Sequence, residues 1–159
     1  MLKKTASLLT SSSTTATTSK STAMISISLA QLTSTNNVED NFRTCSQLVQ
    51  IASQEHQSSV VFFPECFAFL GENASQTLQF AQSLDSDLFN RYRQLARDNR
   101  IAISYGGFHE KHPTENKVFN THVLVDSRGE IASVYRKLHL FDVNIPHKNL
   151  KLMESATTV

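Results

Sequence analysis

Cysteine is scarce in this 159-residue chain: Cys45 and Cys66 are the whole supply. Two thiols make no disulfide framework, and their number fits a reducing compartment such as the cytosol or a mitochondrial matrix. Neither stands at the close paired spacing with histidine that a zinc site needs. His109 and His112 have no thiol or carboxylate partner in sequence, so no metal is expected. Long apolar runs are missing too, which excludes a transmembrane helix and gives no reason to expect a membrane partner. Neither sign of charge is in excess; a net charge of +1 is no footprint for nucleic acid. Glycine is down to four residues, and Gly106-Gly107 is their one adjacent pair. Without a full G-x-G-x-x-G after a first strand it is no dinucleotide fingerprint, and no cofactor is expected. It reads instead as a point where backbone passes close to a neighbour.

Acidic residues are absent before Glu39, while Lys3, Lys4 and Lys20 precede it. Thirteen of residues 1–23 are Ser or Thr. Such a segment buries too little apolar surface to offset its ordering entropy, so a disordered tail is one reading. A basic, hydroxyl-rich, acid-free start with Leu2, Leu8 and Leu9 also has the character of a mitochondrial presequence, and the two readings stand side by side. A second start at Met24 would give a cytosolic form. Residues 24–159, the expected domain, carry 12 basic against 14 acidic side chains once the three lysines are set aside. They have the length and composition of one globular unit with a core.

From Met24 onward β and α patterns alternate. Ile25, Ile27 and Leu29 alternate with serine and alanine as in a half-buried strand. Asn37 is a helix N-cap with Asp40 in the first turn, and the apolar face is Val38, Phe42, Cys45, Val49 and Ala52. On that face Cys45 is core filler. Val60–Phe63 is a wholly apolar strand that Pro64 ends. Residues 75–99 read as helix, broken near Ser86, with Leu88, Tyr92, Leu95 and Ala96 inward. A strand over 101–108 follows, then a hairpin of 118–126 and 130–135 around Ser127-Arg128-Gly129. The order β-α-β-α-β-β-β argues for a layered α/β domain.

Two charged residues stand at the exits of apolar, β-branched runs: Glu65 after Val60–Pro64, and Lys137 after Tyr135-Arg136. A carboxylate and an ammonium converging at strand ends can share a pocket with little water, tune a nucleophile and stabilise developing negative charge. Taken alone, each is equally a loop glutamate or a snorkelling lysine.

The blocks Phe62-Phe63-Pro64-Glu65-Cys66-Phe67 and Tyr135-Arg136-Lys137-Leu138-His139-Leu140-Phe141-Asp142 resemble two signatures of the carbon–nitrogen hydrolase (nitrilase) superfamily. Gly106-Gly107-Phe108-His109-Glu110 and Phe119-Asn120-Thr121-His122 match the same branch, that of the deaminated-glutathione amidases, which includes a nematode form fused to a histidine-triad nucleotide hydrolase. The resemblance spans roughly residues 24–157. It implies an α-β-β-α sandwich, of which this chain would hold the N-terminal half, leaving one apolar sheet face uncovered. It also implies that Glu65 is a general base and that Lys137 favours a thiolate and holds an oxyanion. Glu154 would orient the lysine and the substrate.

The family's nucleophilic cysteine lies beyond the second glutamate and is expected to be missing from this chain. Cys66 is not expected to replace it, since neighbours on extended backbone point to opposite faces. The implied activity is hydrolysis of the amide of a small carboxylate-bearing substrate such as deaminated glutathione, with homodimers in the full-length form and this chain an inactive fragment. The alternative is a non-catalytic truncated isoform that dimerises with the full-length protein. Localisation is expected to be cytoplasmic, mitochondrial or both.

Overall fold

The computed structural model describes residues 7–11 by their backbone and residues 25–159 in full. Strands β1 (Ser7–Ser11), β2 (Ile27–Gln31), β3 (Val60–Phe62), β4 (Ala102–Lys111), β5 (Val118–Val125) and β6 (Ile131–Arg136) form one sheet in that order. The segment β2-β3-β4 is parallel, and the β1–β2, β4–β5 and β5–β6 pairs are antiparallel. Helices α1 (Val38–Gln54), α2 (Ala74–Phe80) and α3 (Asp87–Asn99) carry the chain across the parallel strands. This is the expected α/β layering, since parallel neighbours need a long crossover.

Strand β1 departs from the disordered-tail reading: Ser7–Ser11 pairs with Ile27–Gln31 along the edge of β2. Its composition offers no core, but an open edge offers backbone partners to any nearby extended segment. The rest of residues 1–23, with the presequence reading and Met24, lies outside the described residues.

Helix α1 begins at its expected cap, and the break expected near Ser86 is the capped start of α3. Asn37 accepts the Asp40 N–H at 3.1 Å, and Ser86 accepts that of Phe89 at 3.3 Å. Pro64 follows the end of β3, where the Phe63 N–H still reaches across to the Ser104 carbonyl at 2.8 Å. One face of the sheet is packed. Val61, Ile103, Tyr105, Val123 and Val125 meet Cys45, Val49 and Ala52 of α1 and Phe89, Tyr92 and Ala96 of α3. Phe67 sits in the middle, its ring 4.8 Å from Tyr105 and 5.0 Å from Tyr92. Burial pushes the Cys45 thiol up to about 12, in keeping with core filler.

The other face is bare among the described residues. On β2 the buried side chains are Ser28 and Ala30, whereas Leu29 is 51% exposed, and Ile25 just before the strand is exposed too. The half-buried strand therefore presents the opposite side from the one its hydrophobicity indicated. Ser28 fits beneath α1 because its hydroxyl meets that of Ser58 at 2.6 Å. Phe62, in register with Leu29 on the neighbouring strand, is 39% exposed.

A second, two-stranded sheet has no counterpart in the sequence reading. Strands β7 (Asp142–Ile145) and β8 (Leu150–Met153) form a hairpin over a 3-10 turn at Pro146–Lys148, closed by Asn149 at φ 49°. The chain then returns to the main sheet, where the Val118 N–H donates to the Thr157 carbonyl at 2.9 Å. That return places the segment after β8 beside the ends of β5 and β6.

Candidate active site

Three loops meet at this end of the sheet. The first leaves β3 through Pro64 and is pinned by the Cys66 N–H to the Gly107 carbonyl at 3.0 Å. It lies directly on Gly106 and Gly107: a Cβ at Gly106 would stand 2.8 Å from the Phe63 carbonyl oxygen, and one at Gly107 would stand 2.5 Å from Glu65 Cγ. The close backbone passage expected at this pair is what is found. A break in the β4–β5 register at the same two glycines, with Gly107 at φ +36°, bends the strand under the loop.

The second loop leaves β6. Arg136 and Lys137 are adjacent on extended backbone and point opposite ways. Arg136 turns to Glu110, with nitrogen–oxygen distances of 2.8 and 2.7 Å. Lys137 turns to the loops, its own N–H donating to the Asn120 carbonyl at 2.8 Å. The third is the segment after β8, which delivers Glu154.

The ammonium of Lys137 lies 3.3 Å from Glu65 Oε1 and 2.9 Å from Glu154 Oε2. Asn120 of β5 bridges the same two carboxylates, donating to Glu65 Oε1 and to Glu154 Oε1, the latter at 2.7 Å. The Phe141 N–H adds a further bond to Glu154 Oε2 at 2.6 Å. All three residues singled out in the sequence are thus brought together. Asn120 was quoted there only as part of a motif, because an amide on a strand carries no signal of what it will bridge. Together with Cys66 and His109 they line a cavity of about 520 Å³.

Electrostatics follows from these contacts. Burial pushes the Glu154 carboxyl up, but hydrogen bonds from Asn120, the Phe141 N–H and Lys137 outweigh it and hold the group below the ordinary 4.5. Burial opposes the charge on Lys137, yet the Glu154 bond and both carboxylate charges hold it above the ordinary 10.5. The expected dryness is not met in full: the Glu65 side chain is 55% exposed and that of Lys137 28%.

Cys66 corrects the sequence reading. It does not face away from the pocket; it lines it, with Sγ 3.9 Å from His109 Nε2. The alternation argument fails because the strand has already ended and Cys66 sits at φ +59°, off extended backbone. What opposes a nucleophilic role is burial first and charge second. Burial, with the Glu65 and Glu154 carboxylates, pushes the thiol up to about 11 despite Lys137 nearby. Burial also holds His109 below its ordinary 6.5, so at neutral pH the two form an uncharged pair. Among the described residues no cluster of three or more His, Cys, Asp or Glu could hold a metal ion.

The chain as a whole resembles known proteins. Residues 26–158 match the carbon-nitrogen hydrolase family. A deaminated glutathione amidase from Dictyostelium discoideum is 44% identical over 135 residues, which cover 81% of this chain and 46% of that protein. The nitrilase and fragile histidine triad fusion protein NitFhit of Caenorhabditis elegans is 41% identical over 130 residues, or 81% and 29% of the two chains. Its crystal structure superposes with a TM-score of 0.75 at 39% identity, covering 84% of this chain and 32% of that one. An amidase from Nesterenkonia sp. gives 0.61 at 26% identity, over 72% and 43%. The chain therefore spans less than half the length of these relatives. The family match spans nearly all of the residues described in full, and the protein belongs to the carbon–nitrogen hydrolase family.

Proposed function

We propose that this chain contributes the glutamate–lysine–glutamate part of an amidase site acting on small carboxylate-bearing amides of the deaminated-glutathione kind. The convergence of Glu65 and Glu154 on Lys137 carries the reading. In it Glu65 takes the proton of a cysteine thiol and later activates water against the thioester. Lys137, kept charged by its neighbours, stabilises the thiolate and then the oxyanion of the tetrahedral intermediate. Glu154 is saturated with donors and serves to aim the lysine.

The nucleophile is not found within residues 1–159. Cys45 is buried, and Cys66 keeps its proton at neutral pH. The expected result is that the purified chain hydrolyses no amide alone. Mixed with the C-terminal remainder of the Dictyostelium amidase, it releases amino product from deaminated glutathione, and Lys137→Met abolishes that release. Turnover by the chain alone that Cys66→Ser removes would overturn the assignment of Cys66. A mixture that binds tightly but is equally active with Lys137→Met would overturn the role of the lysine.

The bare sheet face favours a second reading, a non-catalytic form that pairs with the full-length protein. Sedimentation of the two together separates it from the first. Residence in the cytosol or mitochondria, set by the choice between Met1 and Met24, is part of the proposal. Reporter fusions of residues 1–23 test it, and a purely cytosolic signal ends the mitochondrial arm.

A further inference from the structure

We infer that Asn120 is a positioning residue that fixes Glu65 by one carboxylate oxygen and leaves the other free as the proton acceptor. The inference rests on reading Glu65 as the base of the site. Asn120 is almost buried, and its side-chain nitrogen donates one hydrogen bond to Glu65 and one to Glu154, so both amide protons are spent. Its orientation follows from chemistry, because the flipped amide would set Oδ1 against two carboxylates.

The two glutamates are then treated unequally. Glu154 has both oxygens engaged: Oε1 by Asn120, and Oε2 by Lys137 and the Phe141 N–H. Glu65 has two donors on Oε1, Asn120 and Lys137, and among the described residues nothing on Oε2. One carboxylate is saturated and the other, on a residue that lines the cavity, keeps one oxygen without a donor among the described residues. That asymmetry is what a base beside an orienting acid requires.

A neutral amide suits this place. Two carboxylates share one ammonium here, so a hydrophobic residue at 120 would leave them repelling with only Lys137 between them. A second cation would tie down the charge of the base. An amide supplies two donors and no charge. The fit is built into the backbone as well: a Cβ at Gly107 would stand 2.8 Å from Asn120 Oδ1 as well as 2.5 Å from Glu65 Cγ. The Asn120 carbonyl also holds the Lys137 N–H, so one residue sets the position of all three charged groups.

The test is made by NMR on the isotopically labelled chain. In the unmutated protein, couplings across hydrogen bonds are expected from the Asn120 side-chain nitrogen to the carboxyl carbons of both Glu65 and Glu154. Their absence would overturn the inference without any variant. Asn120→Ala is expected to move the Glu154 carboxyl titration to higher pH. It should also weaken the Overhauser contact between the Glu65 γ and Gly107 α protons at least twofold. Asn120→Ser, retaining one donor, should fall between, and Asn120→Asp should move Glu154 furthest. A folded Asn120→Ala protein with both readouts as in the parent would refute the positioning role. No readout uses an amide substrate, so failure of the amidase reading and failure of this one are told apart.

Discussion

The two faces of the main sheet are built from the same strands and meet opposite surroundings. On one, Val61, Ile103 and Val123 are sealed beneath α1 and α3; on the other, Leu29 and Phe62 stand half open. Hydrophobicity does not rank the two. Ser28 is fully buried while its neighbour Leu29 is not, because the covered side of β2 selects residues small enough to lie under a helix. The site sits where the faces meet, at strand ends. Its inner partners are tied together, Asn120 donating to Glu154, while the Glu65 side chain, to which Asn120 also donates, is more than half exposed.

The sharpest way to break this comparison is to truncate one aromatic on each face. Phe67→Ala on the covered side should cost roughly 3–5 kcal/mol in urea unfolding, since a large side chain leaves a cavity among packed rings. Phe62→Ser should change stability by less than about 1 kcal/mol and reduce self-association in sedimentation. Equal losses at the two positions would mean that the open face is covered in solution.

The glycine pair under the Glu65 loop comes next. Gly106→Ala drives a methyl into the Phe63 and Pro64 backbone and should cost about 1–3 kcal/mol by the same unfolding assay. Gly107→Ala is strained by its φ and displaces Glu65, so it should also alter the site contacts.

The covered side carries one charged device, Glu110. Burial raises its carboxyl, but the Arg136 and Thr121 bonds hold it below the ordinary 4.5. A depressed acid contributes stability above its unfolded value, and that contribution is lost as pH falls through the folded one. Thermal midpoints should therefore drop below about pH 4.5, with Glu154 contributing in the same sense. Glu110→Gln should cost about 1 kcal/mol at neutral pH and flatten that acid limb. An unchanged limb would assign acid lability to other carboxylates. Smallest of all, Asn37→Ala removes the cap of the covering helix and should cost about 0.5–1 kcal/mol, leaving the open face unaffected.

Much of this was legible in local chemistry. Asn37 announced a helix start, Ser86 a helix break, Pro64 a strand end, and Ser127-Arg128-Gly129 a hairpin, because each acts on its own backbone. The family signature located Glu65, Lys137 and Glu154. What stayed hidden depends on segments far apart in sequence. The hairpin β7–β8 has strands of four residues and no strong periodicity, yet it carries Glu154 to the site. Asn120 looked like any strand amide until two glutamates, 55 residues before it and 34 after it, closed on it. Cys66 was misjudged because the alternation rule applies to strands, and a left-handed residue after Pro64 is no longer in one.

The element types from β2 to β6, the Asn37 cap and the identity of the charged residues were thus legible in sequence alone, since propensity and capping act over a few residues. Which side of β2 is covered, where Cys66 points and how Asn120 divides its two protons were decided only in the tertiary structure. Each depends on what a distant segment brings within about 3 Å, the range over which hydrogen bonds choose their partners.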